Sequence, residues 1–143
     1  CTNSNFCYYI CLLFEKFLKK MYIFAKAQEN LKAAELLIAN AMYASSIHCS
    51  YYASLQLSKR KLMESGGLSY DQQDQEVKKQ QTDTHNFVIF STENCVTDTI
   101  KYRHLMCSLK RLRKKADYQN HPISQIEATE AQKMTKEILN TLV

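Results

Sequence analysis

The chain has 143 residues, a length that fits one domain and buries roughly two-thirds of the unfolded surface without disulfide or metal staples. Two glycines and one proline supply few turns, which argues against many short strands and for long helices. The net charge is a modest +5, so any electrostatic role has to come from where the charges sit.

The first segment is apolar. Phe6 to Phe14 form an unbroken hydrophobic run before Glu15 and Lys16. A membrane-crossing helix takes roughly 20 such residues, so this run is too short to span. It also lacks the basic start and small-residue cleavage site of a signal peptide. Asn5 to Lys20 reads as a short helix, and residues 1–20 as an N-terminal extension of uncertain status. Met21 is a candidate natural start, which puts the domain at 21–143.

Strong helical periodicity begins at Met21. Ala27, Leu31, Ala34, Ile38 and Ala41 recur at spacings of four and three, the mark of one helix face. That helix is predicted to end at Ala39, with a brief break over 40–43. A second runs from Ala44 to Glu64, where Ile47, Tyr51, Leu55 and Leu62 share a face. Gly66 and Gly67 terminate it. Residues 65–83 are polar and rich in Gln and Asp, and read as an exposed linker.

Helicity resumes at Thr84, with His85, Phe87, Val88 and Phe90, and Thr92 to Asn94 interrupt it. A long helix is predicted from Val96 to Tyr118, on Tyr102, Leu105, Leu109, Leu112 and Ala116. Pro122 closes the turn after it. The last helix carries an S-x-x-E capping box at Ser124 and Glu127, followed by Ala128, Ala131, Met134, Ile138 and Leu142 along one face. The fold class is therefore all-α: an up-and-down bundle of four to five antiparallel helices.

The six cysteines form no CxxC pair, which removes a zinc ribbon or a thioredoxin-like site. Free thiols in a reducing cytoplasm are the economical reading. No phosphate-binding glycine loop, GxSxG or HExxH is present, and no metal or cofactor is expected.

The charge is concentrated late in the chain. Lys101 to Lys115 hold seven Lys or Arg residues and no acidic one. This stripe suits phosphate or an acidic partner. With about 100° per residue, Arg103, Lys110 and Lys114 point away from the apolar face. Arg113 falls at the edge of that face, with Asp117 one turn further on, spaced for an i,i+4 ion pair. His48 and His85 are the other candidate chemical groups, and neither has a carboxylate or cysteine at metal-site spacing. Tyr51 and Tyr52 read as core aromatics.

Three segments together resemble the HEPN superfamily. The first is Ala27, Asn30, Leu31, Ala34, Ala39 and Tyr43. The second is Ser50-Tyr51-Tyr52-Ala53, similar to the YYA signature of the second HEPN helix. The third is the R-x-x-A-D-Y pattern of Arg113, Ala116, Asp117 and Tyr118, which resembles a UPF0332-like branch, where a Ser or Thr with His (here Thr84 and His85) opens the middle helix. The likeness spans about residues 25–142.

The resemblance implies a helical bundle, often a homodimer with its motif helices on a shared cleft. It also implies a toxin–antitoxin or defence role, with RNA or a minimal nucleotidyltransferase antitoxin as partner and no membrane. Many such proteins are metal-independent RNases with an R-x(4–6)-H motif. In this chain Tyr118 follows Arg113 where His is expected, and His121 lies beyond the range. A free tyrosine titrates at about 10 and makes a poor base. Two expectations follow. One is a non-catalytic or weakly active module paired with a nucleotidyltransferase. The other is an RNase using Arg113, with His85, His121 or Tyr118 for proton transfer, Asp117 beside them, and Arg103, Lys110, Arg111, Lys114 and Lys115 steering RNA.

Overall fold

A computed structural model describes residues 4–143. Six α-helices follow in order: α1 (Ser4–Ala39), α2 (Tyr43–Glu64), α3 (Tyr70–Lys79), α4 (Thr84–Thr92), α5 (Thr99–Tyr118) and α6 (Gln125–Thr141). A 3-10 turn, Glu93–Cys95, links α4 to α5, where the sequence predicted an interruption. The described residues contain no strand. The architecture is the expected all-α up-and-down bundle, with α2 at its centre, packed against α1, α4, α5 and α6.

The sequence explains why α2 takes the middle. Ser46, Ser50, Ser54 and Ser58 recur every fourth residue and are fully buried. Ser54 and Ser58 each donate a hydrogen bond to the carbonyl one turn back, which satisfies the hydroxyl within its own helix. Such small side chains let neighbouring backbones come close. Thr135 of α6 reaches the Ser50 carbonyl at 3.1 Å, and the Tyr102 hydroxyl of α5 donates to Ser58 Oγ at 2.8 Å. The neighbouring face of α2 supplies apolar bulk. Ile47, Tyr51, Leu55 and Leu62 join Val88, Met106, Leu109 and Ile138 in one core.

The helix ends follow local chemistry. Asp83 caps α4, Asp98 caps α5 and Ser124 opens α6 with the expected capping box. After α1, the Met42 N–H reaches the Leu37 carbonyl and the Ala41 N–H reaches that of Ile38, with Ala41 at φ 57°. This is a Schellman ending with alanine where glycine is usual.

Two expectations need correction. Residues 65–83 are not an open linker. Ser69 and Gln72 form a second capping box that starts α3. Gln73 is buried there, donating its amide to the Lys59 and Leu68 carbonyls. The polar composition hid a helix that docks through these hydrogen bonds together with the apolar contacts of Leu68 and Val77 on the core. The two helices predicted on either side of residue 20 are one, α1, and no glycine or proline interrupts Lys20–Met21. The early part of α1 nevertheless differs from the rest. Tyr8, Tyr9, Leu13, Phe14 and Phe17 are exposed, and from residue 8 onward the first buried side chain is Ile23. Among the described residues, no helix is long and apolar enough to cross a membrane.

Candidate functional site

The side chains that combine charge, hydrogen-bonding capacity and aromatic surface meet where α2, α4 and α5 come together. Arg113 is at the centre. Its position on the edge of the apolar face of α5 carries it inward, and it is only 8% exposed. Nε lies 2.6 Å from Asp117 Oδ2, in an ion pair without the alignment of a hydrogen bond. Nη2 donates to the phenol oxygens of Tyr52 and Tyr118, both at 3.2 Å. The guanidinium also lies 5.1 to 5.8 Å from the rings of Tyr51, Tyr52 and Tyr118, a cation–π enclosure. Burial disfavours its charge, but the phenol and carboxylate oxygens around it outweigh that penalty and raise its pKa.

Two histidines flank the tyrosine pair. His48, one turn before Tyr52 on α2, packs against that ring, tilted by 37° with the centroids 4.6 Å apart. Its Nδ1 lies 3.2 and 3.1 Å from the two oxygens of Asp117. A carboxylate only accepts, so Nδ1 carries the hydrogen and donates, and the lone pair is on Nε2. Asp117 therefore bridges Arg113 and His48. On the other side, His85 Nδ1 is 2.8 Å from the Tyr51 hydroxyl, and its ring lies 6.0 Å from Tyr52. Burial, followed by the positive charges of Arg113 and Lys110, lowers the His85 pKa. That imidazole is thus held neutral. Burial pushes the Tyr51 hydroxyl well above its ordinary range, so Tyr51 remains a phenol.

The structure thus brings Arg113, Asp117, Tyr118 and His85 together. It adds Tyr51 and Tyr52, which the sequence marks as core aromatics, and His48, a candidate group to which the sequence assigns no partner. One signal pointed to His48: it sits at i and i+4 with Tyr52 on α2, which puts both on one face. His121 does not join. It lies in the exposed turn after α5.

The basic stripe divides. Lys110 is not on the solvent side as its helical angle predicted. Its side chain is 15% exposed and turns toward the start of α4, donating to Asn86 Oδ1 at 2.7 Å and facing Asp83 at 3.7 Å. A long flexible stem lets the ammonium reach a helix cap well away from its own Cβ direction. Arg103 pairs with Glu93, Lys101 with Glu137 and Lys115 with Glu127. Acidic residues of other segments thus balance much of a stripe that lacks acids of its own. Arg111 and Lys114 stay exposed. Arg103 and Arg111 line a concavity of about 520 Å³ with Ile100, His104 and Cys107, on the side of α5 turned away from Arg113.

Among the described residues, no three His, Cys, Asp or Glu side chains gather as a metal site requires. Chemistry at the Arg113 cluster would rest on its own cation, imidazoles and phenols. No family model, curated protein or solved structure matches the chain.

Proposed function

We propose that this chain is a HEPN-like domain of a toxin–antitoxin or defence system that cleaves RNA without a metal, working in the cytoplasm as a homodimer. The observation that carries this reading is the meeting of His48 with Arg113 through Asp117. The R-x(4–6)-H motif is interrupted along the sequence, yet an imidazole from α2 shares a carboxylate with the arginine and lies against one of the tyrosines that enclose it. Arginine stabilises the charge that develops on a phosphodiester, and imidazole moves protons. Arg111 and Lys114 on the open side of α5 would add salt-sensitive attraction for RNA. Lys110, Lys115 and Arg103 contribute less, because each already faces an acceptor within the fold.

The test is incubation of purified protein with RNA in EDTA, comparing wild type with Arg113→Ala. Arg113-dependent cleavage is expected. Intact RNA, together with normal growth on expression, overturns the reading.

A second reading has one specific observation in its favour. Three of the Arg113 contacts are internal: Asp117, Tyr52 and Tyr118. An arginine so occupied suits a non-catalytic module, paired with a minimal nucleotidyltransferase antitoxin. Tyr118 is 72% exposed and would be the acceptor of any nucleotidyl group. Co-purification with a nucleotidyltransferase, in a preparation that leaves RNA intact, is what this reading predicts.

A further inference from the structure

We propose that His48, oriented by Asp117, is the general base of this site, and that His85 is not. The inference rests on the RNA-cleavage reading above. His48 has what a base needs. Its Nδ1 is fixed by both carboxylate oxygens of Asp117, at 3.1 and 3.2 Å. That bond selects the tautomer with a free lone pair on Nε2. The ring packs tilted against Tyr52, which limits its rotation, while the side chain is 46% exposed, so a ligand can reach it. Asp117 is the positioning residue. It is held in turn by Arg113, so the cation and the base share one carboxylate.

His85 is placed differently. Its Nδ1 is occupied by the Tyr51 hydroxyl, inside the wall of the site. Arg113 and Lys110 both oppose a positive charge on its ring, which a base acquires when it takes a proton.

The step balances without metal or redox partner. Nε2 of His48 takes the proton of a ribose 2′-hydroxyl. The 2′ oxygen forms a bond to phosphorus as the bond from phosphorus to the 5′ oxygen breaks. The leaving oxygen takes a proton from water, and His48 returns its own to solvent. The products are a 2′,3′-cyclic phosphate and a 5′-hydroxyl.

The experiment compares single-stranded RNA cleavage by wild type, His48→Gln, His85→Gln and Asp117→Asn, with melting temperatures recorded beside the rates. His48→Gln is expected to lose about 100-fold or more, within the range of general acid–base catalysis, with unchanged melting. His85→Gln should keep most of the activity. Asp117→Asn should lose activity and shift the His48 tautomer in nitrogen-detected NMR, with Asp117→Glu restoring part of both. A wild type that cleaves while His48→Gln cleaves equally well overturns the assignment and leaves the RNase reading standing. A wild type that leaves RNA intact overturns both. A His48 ring protonated on Nε2 alone overturns the role given to Asp117.

Discussion

The two edges of α5 carry similar residues and use them in different ways. On the outer edge, Arg103 lies in the open with its side chain 53% exposed, paired with Glu93. On the inner edge, Arg113 is 8% exposed, within reach of a carboxylate and three phenol rings. Both are arginines paired with acids. Water reaches the arginine of the first pair although its Glu93 partner is buried, so that pair is partly screened. The second pair is largely withdrawn from water, so each partner depends on the other. Charge density along a sequence therefore says little about where charge matters in the fold.

Removing one side of the inner pair gives the strongest test of this contrast. Arg113→Ala leaves Asp117 with His48 alone and takes the donor from the Tyr52 hydroxyl, and should lower unfolding stability by about 2–3 kcal/mol in urea titration. Arg113→Lys should recover only part of that, because an ammonium cannot serve Asp117, Tyr52 and Tyr118 from one planar fork. A loss no larger than for an outer-edge arginine breaks the comparison.

Tyr51→Phe is milder. It deletes the hydroxyl bonded to His85 Nδ1 while keeping the packed ring, and should cost about 1 kcal/mol by the same titration.

The Lys115–Glu127 pair sharpens the picture from the outer edge, through pH. Lys115 first, and then the Ser124 cap, hold the Glu127 pKa at about 2, below its ordinary 4.5. A depressed carboxylate stabilises the fold above its unfolded pKa, and the contribution is lost as pH falls from 4.5 toward 2. Wild type should therefore melt above Glu127→Gln at pH 6, and the gap should close near pH 2. A gap that persists there would show that the contact does not depend on ionisation.

The smallest effects belong to the open positions. Arg111→Ala and Lys114→Ala should leave the melting temperature within experimental scatter, and any change they make should appear in salt-dependent RNA binding alone.

The same contrast explains what was legible in the sequence. Helix periodicity placed α2, α5 and α6 closely, and helical angle put Arg113 on the inner edge, because both depend on apolar spacing within one segment. Lys110 escaped, since its direction is set by Asp83 and Asn86, which belong to another helix. The gathering of His48 with Asp117 depends on how α2 packs against α5, and no local pattern encodes that register. The case of α3 is different. Its capping signal, Ser69 with Gln72, is of the same kind as Ser124 with Glu127. It was readable, and the polar surroundings outweighed it.

Tyr51 has a double position with a practical consequence. It is fully buried among the core side chains and also hydrogen-bonded to His85 at the site. Occupancy and cohesion are therefore linked in this fold. A molecule that settles against His85 and Arg113 in the folded chain alone raises the melting temperature by mass action, as the logarithm of its concentration over Kd. Heat resistance then becomes a detector, and a thermal-shift screen of nucleotides and short RNAs can rank ligands before any activity has been measured.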